Sequence, residues 1–196
     1  MTHSSRLPPG TTRAQALAML SDYPFFLACD PHLAKYELIP ASEHAALTPP
    51  PSIPDNVRSQ LRSQDQAASA PPKEDNEVAV VAPTCYRVTD VVHAIPAGIW
   101  DTNVVSNYEF TDIRDGLFVR IKSPLSIVMD TLWEVRDVVI EAGDGDGDGD
   151  GGLELVEDVT IQCSRLLIGI VRGQCENGWE GIHGKMIGRL EGELKK

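Results

Sequence analysis

The chain has no basic cluster, no paired cysteines, no long apolar run and no self-contained catalytic motif, and each absence removes a class of function. Its 17 Lys and Arg are scattered against 29 Asp and Glu, a formal net charge of −12. A nucleic-acid surface gathers cations to neutralise phosphates, so no nucleic-acid partner is expected. The four cysteines, Cys29, Cys85, Cys163 and Cys175, form no Cys-x-x-Cys pair and have no His at ligand spacing. That excludes a familiar zinc framework, and such wide spacing does not describe a disulfide scaffold. No metal and no cofactor are expected. The opening Met-Thr-His-Ser-Ser-Arg lacks the apolar stretch of a signal peptide, and no run reaches membrane-spanning length. The expectation is a soluble cytoplasmic protein without a transmembrane segment. No Ser-His-Asp order, phosphate loop or His-x-x-x-His pair occurs, and nothing in the residues reports an oligomeric state.

What the chain does have is alternation. Between Tyr86 and Cys163, apolar and polar residues alternate in runs separated by short turns. The clearest run puts Trp100, Val104, Tyr108 and Phe110 on one face and Asp101, Asn103, Asn107 and Glu109 on the other. A period of two with that contrast describes a half-buried antiparallel strand. Strands are expected over 85–95, 100–111, 117–122, 127–140 and 153–163, with Asp115-Gly116 as a hairpin turn. Short connections leave no room for parallel crossovers, so the strands form an antiparallel meander. Upstream, a short edge strand or frayed terminus precedes Pro8-Pro9-Gly10. Thr11 or Thr12 caps a helix over 14–20, a second short helix covers 22–29, and a strand covers 34–40.

Two stretches interrupt this pattern. Residues 41–76 are rich in Pro, Ser, Ala and Gln and poor in apolar surface. They are expected to be a disordered insertion whose deletion leaves thermal unfolding cooperative, with a similar midpoint. Within it, a short helix over 56–66 has only Val57 and Leu61 to dock. Residues 143–152 alternate Gly and Asp. They lack the spaced ligands and closing Glu of a calcium loop, so a solvated hairpin tip is the favoured reading. After residue 165, Val171, Cys175, Trp179, Ile182, Met186 and Leu190 recur at helical spacing. Seven glycines accompany them, each costing about 0.8–1 kcal/mol against Ala, so packing on the sheet must hold this helix. The glycines read as a tolerated solvent face or, more sharply, as a close approach to a partner.

The order strand, two helices, strand, meander and terminal helix resembles the helix-grip fold of the START, polyketide-cyclase and pollen-allergen superfamily (SRPBCC). The likeness is carried by Leu17-x-x-Leu20-x-Asp22 with Pro31, by Gly98-x-Trp100-Asp101 and by the last helix. Pro96-Ala97-Gly98-Ile99-Trp100-Asp101 and Arg120-Ile121-Lys122-Ser123-Pro124-Leu125-Ser126 look like an uncharacterised fungal branch of it. The resemblance implies one α+β domain over residues 1–196, in which a curved antiparallel sheet of six or seven strands wraps the terminal helix. It also implies an apolar cavity between sheet and helix.

On that frame, Trp100, Val104, Ser106, Tyr108, Phe110, Val119, Met129, Thr131, Trp133, Val159, Trp179 and His183 are the expected ligand-contacting residues. The expected function is binding, transport or sensing of a hydrophobic small molecule such as a lipid, sterol or polyketide. The superfamily's cyclases and dehydratases give an enzymatic alternative, for which Glu157, Asp137 and His183 are the candidates. Asp137 and Glu157 share the inward phase, and pairing through the Gly-Asp loop would bring them together, raising one pKa. The competing reading has the sheet twist carrying that end into water. His183 beside the apolar helix face is equally a boundary residue, and His93 and Arg120 read as residues of a solvated sheet face. A scaffold whose cavity is filled by its own side chains is the third reading.

Overall fold

The computed structural model describes residues 1–47, 54–61, 83–93, 101–138 and 152–195. Strand β1 (Thr2–Arg6) is followed by helices α1 (Arg13–Ser21) and α2 (Tyr23–Ala28) and strand β2 (Leu33–Leu38). Two short helices, α3 (Ala41–Leu47) and α4 (Asp55–Arg58), precede β3 (Thr84–His93), β4 (Asp101–Ile113), β5 (Gly116–Ser123) and β6 (Ile127–Asp137). The chain then forms β7 (Leu153–Gln162) and the long helix α5 (Ile168–Leu194). The seven strands form one antiparallel sheet in the order β1-β7-β6-β5-β4-β3-β2. The polar N-terminus is thus an edge strand, pairing Thr2–Arg6 with Asp158–Glu154.

Local chemistry fixes the two N-terminal helices. Thr12 and Gln15 form a reciprocal capping box at the start of α1. Asp22 ends α1 and caps α2, accepting from the Phe25 amide, while Pro24 sits in the first turn where no backbone donor is needed. The same Asp22 accepts from the Arg189 guanidinium at 2.7 Å, and that guanidinium lies 4.4 Å over the Phe25 ring. One carboxylate therefore joins α1, α2 and α5.

Alternation divides the sheet as expected. Tyr108, Phe110, Leu117, Val119, Trp133, Val135 and Leu155 face the helices, and at one end they close with Met19, Leu20, Met186 and Leu190 into a solid core. The opposite face carries Glu109, Arg120 and Asp130, all buried. Arg120 is indeed out of phase with the core, but it is not solvated: its Nε and Nη2 donate to the two Asp130 oxygens at 2.7 Å. This bond and the Asp130 charge raise the Arg120 pKa further. His93 ends β3.

One turn differs from the reading of the residues, and a second carries unusual backbone angles. The β4–β5 hairpin turns at Arg114-Asp115, because Gly116 already pairs with Ile113 and Glu134. In the β5–β6 turn, Leu125 and Ser126 both take left-handed backbone angles, φ 61 and 58, conformations that cost non-glycine residues of order 1–3 kcal/mol.

The insertion is also corrected. Residues 41–47 and 54–61 are ordered parts of the fold, while 48–53 and 62–76 lie outside the described residues. His44 bonds the Ile39 carbonyl at 2.9 Å, and Val57 is buried against Ile113 and Phe118 on the outer sheet face. Leu61 bridges to Ile113, and the Arg114 amide donates to the Gln60 carbonyl. Two apolar residues suffice because they land on a prepared patch. The Val57→Ala variant is accordingly expected to lose about 2 kcal/mol in urea unfolding. An unchanged midpoint would mean the segment is not held there.

Candidate functional site

The core is solid at one end of the sheet and hollow at the other. Toward the N-terminal half of α5, sheet and helix flank a cavity of about 410 Å³ that opens to solvent, within the range of small-molecule sites. From the sheet it is lined by Val104, Ser106 and Tyr108 of β4, Val119 of β5, Met129, Thr131 and Trp133 of β6, and Glu157 and Val159 of β7. Alternation puts all of these on the helix-facing side. From α5 come Val171, Cys175, Gly178, Trp179 and Ile182, and from the loop after α2 come Asp30, Pro31 and His32.

The structure therefore brings together most of the residues expected at a ligand site. Two stand behind the wall instead. Phe110 lies in the solid core, stacked on Tyr23 at 4.7 Å and edge-on to Phe26. His183 is buried between Trp133 and Trp179, each ring 5.3 Å away, and so is no boundary residue. Trp100 and the Gly-Asp stretch 143–151 lie outside the described residues.

The paired-carboxylate reading does not hold. Asp137 pairs in register with Leu153, four residues from the Trp133–Glu157 pair, about 13 Å along the strand. Its side chain is 81% exposed and bonds Arg13 at 2.9 Å. Twist at the strand end carries it into water, as the competing reading had it.

Glu157 has other company. His3 Nδ1 lies 3.2 Å from its Oε2 and His183 Nε2 lies 3.8 Å from the same atom. His183 Nδ1 meets Ser5 Oγ at 2.9 Å, while its Nε2 has no hydrogen-bond partner among the described residues. The His3 ring stacks parallel on Trp179 at 4.8 Å. This cluster is one carboxylate at the cavity wall backed by two imidazoles. His3 was missed because a polar terminus gives no phase until its partner strand is known.

A second polar group lies across the sheet. Asp90 of β3, 9% exposed, is in phase with Tyr86 and Val88 and lines the cavity beside Tyr108. Burial, and then the nearby Asp30 carboxylate, push its pKa up to about 6. That phase was visible in the sequence as Tyr86-x-Val88-x-Asp90. Between the two anchors Ser106 and Ser123 share a hydrogen bond of 2.7 Å, and Trp133 Nε1 donates to Thr131 Oγ1 at 3.0 Å. Burial pushes the Cys175 thiol up to about 11, so it is protonated and unreactive at neutral pH.

A seven-stranded antiparallel sheet with a long helix across one face and a hollow between them defines an α+β protein with a cavity between sheet and helix. The family described as Domain of unknown function (DUF7053) matches residues 1–192, and the chain belongs to that family. No curated protein and no solved structure matches it. Among the described residues no helix is long and apolar enough to cross a membrane.

Proposed function

We propose that this protein is a helix-grip, START-like binding protein that holds a hydrophobic small molecule in the cavity without transforming it. The observation that carries this reading is the cavity itself, about 410 Å³ walled chiefly by apolar side chains of sheet and helix. Pockets of this kind fix a ligand by apolar area and orient it by a few polar groups. Here Ser106, Thr131, Asp90 and Glu157 are those groups. Burial is worth about 25 cal/mol per Å² before ordering costs, enough for micromolar binding. A cavity of this size counts against a filled scaffold.

The reading is tested with Nile red displacement by long apolar ligands, together with native mass spectrometry of protein from its own host. Val119 is 1% exposed at the cavity wall, in the middle of the sheet. The Val119→Trp variant fills the space and is expected to weaken probe binding at least tenfold while unfolding stays cooperative. A wild-type protein that arrives empty and takes up no probe would overturn the proposal.

A second reading has one specific observation behind it. The Glu157–His3–His183 cluster at the wall would serve as the acid–base apparatus of a cyclase- or dehydratase-type reaction.

A further inference from the structure

The charges around the cavity are of one sign, and this deepens the reading just given, on which it rests. Asp30, Asp90 and Glu157 line the hollow, and among the described residues no Lys or Arg does. Asp90 is the decisive one. The Tyr108 hydroxyl lies near its carboxylate, and Oδ1 is buried with no hydrogen-bond partner among the described residues. A buried, unfilled acceptor on a carboxylate is costly unless something donates to it. Asp30 lies close enough to raise the Asp90 pKa through its own charge. Its Oδ1 is occupied by the His32 amide at 2.7 Å, and the His32 carbonyl accepts from the Val91 amide, which pins the loop beside Asp90.

We propose that the ligand carries a basic nitrogen: an apolar amine whose ammonium group donates to Asp90 Oδ1 and whose hydrocarbon lies along the cavity toward Trp133. An ammonium supplies the missing donor and offsets both carboxylates. A fatty acid would set a carboxylate against Asp30, Asp90 and Glu157. A neutral alcohol could fill Oδ1 but would leave the charges uncompensated.

The groups that titrate around Asp90 are Asp30 and His32 from the loop after α2 and Tyr108 from β4. Tyr108 is held neutral by burial. Amine binding is therefore favoured above about pH 6 and lost below it, by up to tenfold per pH step.

The experiment compares dodecylamine, dodecanol and dodecanoate on the full chain, by Nile red displacement and by calorimetry, at pH 7.5 and pH 5. At pH 7.5 the amine is expected to bind at least tenfold more tightly than the alcohol, with dodecanoate weakest. The Asp90→Asn variant removes the charge while keeping the side chain's shape and is expected to bring the amine-to-alcohol ratio to about one, as pH 5 does in the wild type. Equal binding of amine and alcohol, dodecanoate as the tightest ligand, or a ratio that survives in Asp90→Asn would overturn the amine assignment and leave the cavity reading standing. If the wild type takes up no probe and none of the three binds by calorimetry, both fall.

Discussion

Replacing Arg120 by Ala is expected to lower the unfolding free energy by about 3–5 kcal/mol, the cost of leaving a buried charge without its partner. Arg120 and Asp130 sit directly opposite each other on β5 and β6, with side chains only 10% and 11% exposed. Glu109, 4% exposed, lies opposite Arg120 on the other side and binds Lys122 at 2.9 Å. Removing the guanidinium would leave two buried carboxylates facing each other across the gap. In a domain of this size the midpoint should fall by about 10 °C. The double variant Arg120→Met/Asp130→Leu separates charge from packing. It should recover most of the loss, because a buried pair repays its desolvation poorly against apolar residues of similar volume. A single variant that unfolds like the wild type would show that the pair is solvated.

This pair also shows what the residues could and could not disclose. Alternation gave the phase of Arg120 correctly, since the period of a strand depends only on the chain itself. It could not give burial, because the outer face of a sheet is dry or wet according to what lies over it. The outer face of β4–β6 takes Val57 and Leu61 from a segment whose composition favours disorder. Composition averages over many residues, whereas a docked segment needs only two apolar side chains in the right place.

The cavity was legible for the same reason that the outer face was not. Val104, Ser106 and Tyr108, or Met129, Thr131 and Trp133, belong to single strands, and any sheet covered by a helix turns them inward. Its chemistry was less legible because it comes from juxtaposition. Glu157 meets His3 through the pairing of the first strand with the last and meets His183 through the seating of α5. Asp30 reaches the wall through a loop with no period. Asp137 failed for the opposite reason: phase puts it inward, but the end of a twisted strand lies beyond the helices that would cover it, and there Arg13 takes it.

Alanine in place of glycine should have opposite effects at two kinds of position, and the destabilising one is expected to be large. At Gly116, whose backbone lies outside the left-handed region, the added methyl carbon would stand 1.7 Å from the Trp133 carbonyl oxygen and 2.8 Å from its carbon. Both atoms are backbone, so no side chain can swing aside. Strands β5 and β6 must part where the Asp115 carbonyl holds the Val135 amide and where Trp133 forms the cavity wall. Gly116→Ala should therefore cost about 4 kcal/mol or more, beyond the usual range for overpacking, and should weaken any apolar probe in the cavity as Trp133 shifts. In α5 an added methyl at Gly181, Gly184 or Gly188 meets nothing within 4 Å. There the substitution only removes backbone freedom from the unfolded chain, worth about 0.8–1 kcal/mol each. The triple variant should be more stable by about 2–3 kcal/mol, raising the midpoint by about 6 °C or more. Chemical denaturation of both variants beside the wild type measures the two signs together. A stable Gly116→Ala would show that β5 and β6 are not in this register. A destabilised triple variant would show that the glycine face of α5 is covered, and that its glycines mark a close approach to a partner.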